Sequence, residues 1–499
     1  MRPISRRRAL QLGGLGLAAT VAGGAGLVWN ATSDIDPVTG AELVEPPVLS
    51  SSGGLLQVRL EAAEVRTALA GREAALLAFN GGVPGPTLRL RPGDRLQAEL
   101  VNRLSAPTNL HVHGLHVSPQ GNGDNAFVVV GPGQTFAYDH RLPAGHPPGV
   151  YWYHPHHHGL VAEQIFGGLY GAIVVDDPEP LPVTRERVLV VSDISLDGAG
   201  RVRQPSAMTQ MQGREGELVL VNGRYRPRLR IRPGERERWR VVNACVARYL
   251  HLRLDGQRVQ VLGIDSGRYA EPQDVAEVVL TTGNRADLLV TAVEGRSELR
   301  ALPYDRGTSA MMGGGPGPGP GPGPGPGPGG GPPSSARGDP VVLAAVDVSG
   351  PAVPELPPIP ALPAPRDLRD DPVAGSRELT FAMGMGMGMG RGMTFTIDGR
   401  EFDPERVDQV VAAGSVEEWT ITNTSPMNHP VHLHVWPVQV VESAGRPVEP
   451  PAWRDVVDVP ARSRVTVRVA FDDFAGRTVY HCHVLDHEDR GMMGVVEAR

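Results

Sequence analysis

The sequence predicts an all-β protein built from three related β-sandwich domains. Three observations predict this fold class: short runs of alternating apolar and polar residues, turn residues between them, and a pattern that occurs three times along the chain. Gly, Pro and Asp separate the runs at intervals of about ten residues, which is the spacing of sandwich strands and not of βαβ units. Such runs are found at residues 55–60, 87–91, 172–175, 218–221 and 465–469.

A turn, a strand and a closing asparagine form the repeated pattern. The turn at 91–94 leads to Asn102, the turn at 232–235 to Asn243, and the turn at 413–415 to Asn423. The chain of 499 residues is too long for one core, since domains of about 100–200 residues are usual. The repeats therefore predict three related domains. We place these domains at residues 54–178, 183–350 and 376–499, with Pro- and Asp-rich joints near 176–182 and 351–372.

Residues 1–30 have the pattern of a twin-arginine export signal. Ser5 precedes the arginines Arg6, Arg7 and Arg8, and a weakly apolar segment rich in Gly and Ala then extends to about Trp29. We expect the twin-arginine (Tat) translocase, which carries folded proteins, to export the chain to a periplasmic or other extracytoplasmic location. The segment is either cleaved near residues 18–25 or kept as a membrane anchor.

Charge and cysteine content narrow the class of protein. The net charge of −7, with no basic cluster beyond the N-terminus, argues against nucleic acid as a partner. The two cysteines are Cys245 and Cys482. Cys245 lies in an apolar run and is predicted to be a small buried hydrophobic residue.

Two low-complexity segments interrupt the strand pattern. Residues 313–333 are mostly Gly-Pro dipeptides. A period of two is not that of collagen, so we predict an extended surface loop in the second domain. Residues 383–393 alternate Met with Gly at the start of the third domain.

The segment from Tyr480 to His487 carries the strongest chemical signal. His481, Cys482 and His483 are consecutive, and His487 and Met492 follow closely. Sulfur and imidazole together are typical copper ligands, and two His with one Cys and a weak axial Met form the blue-copper site. Alternate side chains of a strand point to opposite faces. The cysteine and the two flanking histidines therefore predict two metal sites joined by roughly 10 Å of backbone.

Four His-x-His pairs predict a metal cluster. Each pair lies on a predicted strand and presents two imidazoles to one face. One copper rarely takes more than four or five ligands, so eight paired histidines indicate several ions. His429 lies three residues before His432 and therefore points to the opposite face of the strand. It is predicted to join Cys482, His487 and Met492. Because the pairs come from the first and third domains, we expect the cluster at their interface, with the middle domain a metal-free spacer. The paired histidines are His111, His113, His154, His156, His432, His434, His481 and His483.

These motifs resemble the multicopper oxidases, the family of laccases, bilirubin oxidases and bacterial cuprous oxidases. The matching stretches are 111–114, 152–159, 429–434 and 481–492. The resemblance implies three cupredoxin-like Greek-key β-sandwich domains and four copper ions. By position, the type 1 copper takes His429, Cys482, His487 and Met492, and the type 2 copper takes His111 and His432. The type 3 pair takes His113, His154, His156, His434, His481 and His483.

Three carboxylates are further candidates from the resemblance. Family members deliver protons to reduced oxygen through acidic residues near the cluster, and Asp124 and Glu488 match such positions. Asp124 lies in a Gly-Asn-Gly-Asp-Asn stretch, so a turn residue is the alternative. Asp455 matches a position that binds substrate copper in cuprous oxidases, although the methionine that accompanies it there is replaced by Val456 and Val457.

The implied reaction is one-electron oxidation of a donor at the type 1 copper, coupled to reduction of O2 to water at the trinuclear cluster. The donor is either a phenol or aromatic amine, as in laccases, or Cu(I), which the thioethers of the Met-Gly segment favour. A copper-storage role for that segment is a further alternative. We also weigh a non-catalytic cupredoxin-like cell-division protein and a two-domain nitrite reductase, which the intact ligand set and the third domain disfavour. We expect a monomer.

Overall fold

The computed structural model describes residues 40–307, 338–385 and 393–499. The predicted signal segment at 1–30, the Gly-Pro segment at 313–333 and residues 386–392 of the Met-Gly segment lie outside the described residues. The described part of the chain forms six sheets in three successive pairs, so the predicted all-β fold is confirmed. Among the described residues, no helix has the length and apolar character needed to cross a bilayer.

The first pair of sheets packs around one apolar core. A four-stranded sheet in the order β3-β2-β5-β7 faces a five-stranded sheet in the order β1-β4-β9-β8-β6. Leu60 and Leu100 of the smaller sheet and Leu88 and Ile173 of the larger one belong to the same buried cluster. The strands are β1 (Val48–Ser50), β2 (Leu55–Leu69), β3 (Arg72–Phe79), β4 (Thr87–Leu90), β5 (Arg95–Asn102), β6 (His111–His113), β7 (Thr135–Arg141), β8 (Gly149–His154) and β9 (Gly171–Val175).

The second pair encloses its own apolar cluster, and Cys245 is buried in it as predicted. A seven-stranded sheet in the order β12-β11-β10-β14-β19-β16-β17 faces a five-stranded sheet in the order β13-β21-β20-β15-β18. The strands are β10 (Arg185–Ile194), β11 (Leu218–Val221), β12 (Arg224–Tyr225), β13 (Arg228–Ile231), β14 (Arg236–Asn243), β15 (Leu250–Leu254), β16 (Arg258–Ile264), β17 (Gly267–Asp274), β18 (Glu277–Leu280), β19 (Arg285–Thr291), β20 (Gly295–Leu302) and β21 (Val341–Val348).

The third pair holds Cys482 in its core. A six-stranded sheet in the order β23-β22-β25-β30-β27-β28 faces a five-stranded sheet in the order β24-β32-β31-β26-β29. The strands are β22 (Val373–Met385), β23 (Met393–Ile397), β24 (Gln409–Val411), β25 (Val416–Asn423), β26 (His429–Leu433), β27 (Val438–Ser443), β28 (Arg446–Arg454), β29 (Val456–Val459), β30 (Ser463–Ala470), β31 (Gly476–Cys482) and β32 (Met493–Ala498).

The three sequence repeats are confirmed as structurally equivalent strands. β5, β14 and β25 each pair in parallel with the long strand that opens their unit, and antiparallel with a later one. Asn102, Asn243 and Asn423 close these strands and are buried. The Nδ2 atom of each donates to at least two backbone carbonyls at 2.8–3.1 Å. The repeated asparagine is therefore a structural residue that satisfies buried loop carbonyls.

Short helices lie where the units meet. They are α1 (Val161–Gly167), α2 (Ala207–Gln212) and α3 (Leu485–Glu488), with one 3-10 turn at Leu368–Asp370. Asp489, just after α3, accepts hydrogen bonds from the backbone N–H groups of Gly159, Val161 and Ala162 at 2.8–3.1 Å. A carboxylate at a helix N-terminus is stabilising. This contact fixes the third unit against the first, close to the paired histidines.

Candidate metal centre

One group of potential ligands surrounds the sulfur of Cys482. Nδ1 of His429 lies 3.3 Å from Sγ of Cys482, and Nδ1 of His487 lies 3.8 Å from it. The three residues are fully buried. Met492 is buried in the same apolar cluster, and its backbone bonds to the backbone of both Cys482 and His487. The structure therefore brings His429 and His487 to the sulfur of Cys482 and places Met492 in the same buried cluster.

The pairing of β26 with β31 explains this arrangement. Val431 lies opposite Cys482, and His432 lies opposite His481. His429 is two residues from Val431, so it shares the face of Cys482, while His432 and His481 occupy the other face. The register therefore puts the Cys482 group and the paired histidines on opposite faces of the sheet.

Hydrogen bonds fix the ring of each histidine beside Cys482. Nε2 of His429 lies 2.7 Å from Oγ of Ser425. Nε2 of His487 donates to the carbonyl of Met211 in α2 at 3.0 Å, and the ring of Phe395 stacks on His487 with a centroid distance of 4.6 Å. Both rings therefore turn Nδ1 toward the sulfur. A buried ion pair between Arg214 and Asp486, at 2.6 Å, holds the segment that follows α2 against α3.

The eight paired histidines meet between the first and third sheet pairs, as expected. Nε2 of His432 lies 3.4 Å from Nε2 of His111, and Nε2 of His154 lies 3.4 Å from Nδ1 of His113. Nε2 of His481 lies 3.2 Å from Nε2 of both His156 and His434. Seven of the eight histidines belong to groups whose ligand atoms lie within 4.8 Å of one another; these are His111, His113, His154, His156, His432, His434 and His481.

His483 is the exception within this cluster. Its ring centroid lies 5.0 Å from that of His113, but it joins none of the groups of three close ligand atoms found in the described residues. Both of its nitrogens are buried without a hydrogen-bond partner in the described part of the chain. A buried polar atom without a partner costs about 1–3 kcal/mol. A cation would satisfy such a nitrogen.

Outer hydrogen bonds determine which nitrogen of each histidine faces inward. Nδ1 of His154 bonds to the Pro155 carbonyl at 2.9 Å, and Nδ1 of His432 bonds to the Asp455 carbonyl at 2.7 Å. Nδ1 of His481 bonds to the Cys482 carbonyl at 3.1 Å. Each bond leaves Nε2 directed at other histidines, which is the usual arrangement around a bound metal. His113 is reversed, since its Nε2 faces outward.

The electrostatics of the cluster fit metal binding. Burial is the main cause that lowers the pKa of all eight histidines, to about 4 for His156 and His481 and well below the ordinary value for the other six. The imidazoles are therefore neutral at physiological pH, as metal ligands must be. Burial also raises the pKa of the Cys482 thiol. A bound cation is needed to make that sulfur a thiolate.

Both predicted proton-relay carboxylates, Asp124 and Glu488, lie against the histidine cluster. Asp124 is buried and its two oxygens lie 2.9 and 3.0 Å from Nδ1 of His111, so it is not an exposed turn residue. Glu488 is fully buried, with Oε1 3.3 Å from Nε2 of His156 and Oε2 3.0 Å from Nδ1 of His481. Burial raises the pKa of each carboxyl to about 7.

The third carboxylate, Asp455, is predicted to bind substrate copper, which would place it near the Cys482 group. Its Oδ1 atom lies 3.1 Å from Nε2 of His113, and Arg285 binds both of its oxygens. The structure therefore places Asp455 beside the histidine cluster and not beside Cys482. Another aspartate, Asp458, lies three residues later in β29. It accepts hydrogen bonds from Tyr249 at 2.6 Å and from Asn428, the neighbour of His429, at 2.9 Å.

Sequence reasoning missed the contribution of the middle unit. In the described residues, the groups of close ligand atoms are drawn from the first and third units. Yet Met211 fixes His487, Arg285 fixes Asp455, and the Thr282 hydroxyl donates to the His483 carbonyl at 2.6 Å. A single Arg, Met or Thr is not part of a recognisable sequence motif, so only the structure could reveal these contacts.

An all-β protein with a buried His₂Cys group joined through one strand to a histidine cluster belongs to the class of copper oxidoreductases. Three sequence models described as multicopper oxidase match residues 61–180, 149–298 and 376–499. The multicopper oxidase MmcO of Mycobacterium tuberculosis is 27% identical over 98% of this chain and 96% of its own length. The chain therefore belongs to the multicopper oxidase family, whose members are oxidoreductases that use O2 as acceptor.

Solved structures support the same assignment. A multicopper oxidase from Campylobacter jejuni, described as a metallo-oxidase, is 29% identical and superposes with a TM-score of 0.79 over 93% of this chain and 96% of that one. A laccase-like multicopper oxidase from Ochrobactrum sp., described as active towards lignin model compounds and lignosulfonate, is 26% identical with a TM-score of 0.76 over 92% of this chain and all of that one.

Proposed function

We propose that this oxidase binds four copper ions in the two ligand groups on either side of β31. The type 1 ion takes His429, Cys482, His487 and Met492. The type 2 ion takes His111 and His432, and the type 3 pair takes the other six histidines: His113, His154, His156, His434, His481 and His483. The observation that carries this proposal is the cluster of buried, neutral imidazoles whose nitrogens face one another at 3.2–3.4 Å.

The chain links the two groups by covalent bonds. When bound, copper supplies one-electron acceptance beside Cys482 and reduction of O2 to water among the histidines. Cys482 is bonded through the backbone to His481 on one side and to His483 on the other. Burial of all three side chains excludes water from this connection. Outer hydrogen bonds already fix the rings of His154, His432 and His481, so little reorganisation of these rings accompanies a change of charge.

Proton supply is the proposed role of Glu488 and Asp124. Reduction of O2 to water consumes protons inside a buried cluster. Both carboxyls touch cluster histidines, and the raised pKa of each keeps a proton available near neutral pH. A group whose pKa lies near the working pH is best suited to proton transfer.

The donor site is proposed to lie beside His487. The Nε2 atom of this ring faces away from Cys482 and contacts Met211 in α2, a helix without buried side chains. Met211, Met383 and Met393 are half-buried around the core that contains Cys482, and Met208 of α2 is 52% exposed. Thioethers are soft ligands that favour Cu(I) over hard cations. We therefore propose Cu(I) as a donor, alongside phenols or aromatic amines.

Changing every methionine of the Met-Gly segment to Leu tests whether this segment binds Cu(I) as a donor. Leu keeps the apolar volume but removes the sulfur. We expect the KM for Cu(I) to rise about tenfold, equivalent to about 1.4 kcal/mol of lost binding, while the kinetics with a phenol stay unchanged. The variant carries Met383→Leu, Met385→Leu, Met387→Leu, Met389→Leu and Met393→Leu. Equal kinetics of variant and wild type with Cu(I), measured as oxygen uptake, would show that the segment is no donor site.

Export through the twin-arginine pathway is a further proposal, supported by the arginines at Arg6 and Arg7 ahead of an apolar segment. Changing both to Lys keeps the charge and removes the recognised pair. We expect the variant to accumulate inside the cytoplasm, where fractionation and immunoblotting would find it. A variant with only Arg8→Lys is the matched control. Normal export of the Arg6→Lys, Arg7→Lys variant would rule out this route.

A further inference from the structure

A buried ion pair joins the middle unit to the histidine cluster. Arg285, the first residue of β19, is fully buried and binds Asp455 through two nitrogens, at 2.5 and 2.6 Å. Nε of Arg285 donates to the carbonyl of Val150 in the first unit at 3.1 Å, and its guanidinium lies over the ring of Tyr151. Residues from all three units therefore meet at this one side chain.

Asp455 in turn contacts two histidines of the cluster. Its Oδ1 atom lies 3.1 Å from Nε2 of His113, and its backbone carbonyl accepts from Nδ1 of His432 at 2.7 Å. His113 comes from the first unit and His432 from the third. One residue thus orients ligands on both sides of the interface.

The contact between Asp455 and His113 determines which ring nitrogen of His113 carries a hydrogen. A carboxylate held by a guanidinium offers only acceptor lone pairs, so Nε2 of His113 must carry the hydrogen. Nδ1 is then left as the free ligand atom, and it is Nδ1 that faces Nε2 of His154 at 3.4 Å. His111, His154 and His432 have the opposite arrangement, with Nδ1 bonded outward. His113 therefore needs a partner that accepts at Nε2.

We propose that Arg285 is a positioning residue for the copper cluster. Through Asp455 it holds His113 in the tautomer that presents Nδ1 to the metal. This inference rests on the proposed copper function, since it assigns a role toward that cluster.

Gly114 provides the space that this arrangement needs. The residue follows His113 and has φ of +85°. A Cβ atom there would lie 2.5 Å from Nη2 of Arg285 and 2.7 Å from Oδ2 of Asp455, both closer than real contacts allow. The glycine of the His-Val-His-Gly motif therefore admits the ion pair to the edge of the cluster.

A buried arginine pair of the same unit serves as a matched control. Arg187 binds Glu237 through two nitrogens at 2.6 and 2.8 Å and is also buried. Its hydrogen bonds in the described residues reach Glu237 and the Arg230 carbonyl, not a histidine. Removing either arginine takes the cation away from a buried carboxylate. Arg285 also lies 3.2 Å from Asp265, and Glu237 keeps a hydrogen bond from Trp239, so the melting temperatures of the variants measure the two structural penalties.

The test compares the copper-loaded variants Arg285→Met, Asp455→Asn and Arg187→Met with wild type. Asp455→Asn conserves volume, but its amide can donate to Nε2 and so favours the wrong tautomer of His113. We expect Arg285→Met and Asp455→Asn to lose cluster copper to a chelator about 10- to 100-fold more readily, while the red absorption of the copper beside Cys482 is kept. Arg187→Met should hold all its copper. Thermal melting of the three apo-variants measures the structural penalty separately.

Two results would overturn the proposal. One is that Arg285→Met and Asp455→Asn keep cluster copper as tightly as wild type. The other is that Arg187→Met loses cluster copper as readily as Arg285→Met at the same fall in melting temperature. The role of Arg285 would then be structural. Wild type itself reports on the proposed copper function. If it binds four ions and is blue while the variants match it, only the positioning role fails.

Discussion

Changing Cys482 to Ser should abolish both the blue colour of the copper-loaded protein and its oxygen uptake. The colour requires a thiolate bound to copper, and a hydroxyl cannot replace it. Cys482 is also the covalent link between the two ligand groups, because its backbone continues into His481 and His483. Absorption in the red and oxygen consumption with a phenol donor measure the two losses. Both should fall to background, while the folded protein still binds copper at the histidine cluster.

Cys245→Ser is the matched control for this substitution. Cys245 is equally buried, but it lies in the core of the middle unit with Sγ 3.8 Å from the Val191 carbonyl. Any cost of burying the serine hydroxyl falls on the core of the middle unit, so the Cys482 group should stay intact. This variant should stay blue and active. A blue, active Cys482→Ser protein would contradict the assignment of the sulfur as a ligand.

Changing Glu488 to Gln should slow oxygen reduction by about 100-fold or more, since general acid catalysis contributes roughly 10²–10⁴ to a rate. Gln keeps the size of the side chain but has no acidic proton. Glu488 is fully buried and lies within 3.3 Å of both His156 and His481. Because its carboxyl contacts the histidine cluster, we expect electron acceptance from the donor to be unaffected.

Stopped-flow absorbance separates the two half-reactions of the Glu488→Gln variant. Loss of the red absorption on mixing with donor under anaerobic conditions should match wild type, and its return on mixing with O2 should be slow. Glu417→Gln is the control, because Glu417 is a buried glutamate of the same unit that bonds to Arg377 and Trp419. Reoxidation of Glu488→Gln at the wild-type rate would remove this residue from the proton pathway.

The ligand groups could be predicted from sequence because strand periodicity determines them. Alternation places Cys482 and His481 on opposite faces of β31, and the same rule places His429 and His432 on opposite faces of β26. The structure confirms both consequences. The repeated asparagines likewise predicted three equivalent strands, because each occupies the same position after a turn.

The residues that orient the ligands could not be predicted in this way. Asp455 and Arg285 are 170 positions apart, and the pair forms only when the first, middle and third units pack together. Asp458 in β29 lies near His429, whereas Asp455, between β28 and β29, lies beside His113. Tertiary packing decides such contacts, and local periodicity carries no information about them.

The ratio of donor oxidised to O2 consumed tests the central claim most directly, namely that a single-electron site beside Cys482 feeds a cluster that reduces O2 fully. Copper-loaded protein is mixed with a one-electron phenol donor, and oxygen uptake and peroxide are measured together. We predict four donor molecules oxidised per O2 and no peroxide released. Two donor molecules per O2 with accumulating peroxide, or donor oxidation without oxygen uptake, would contradict the account.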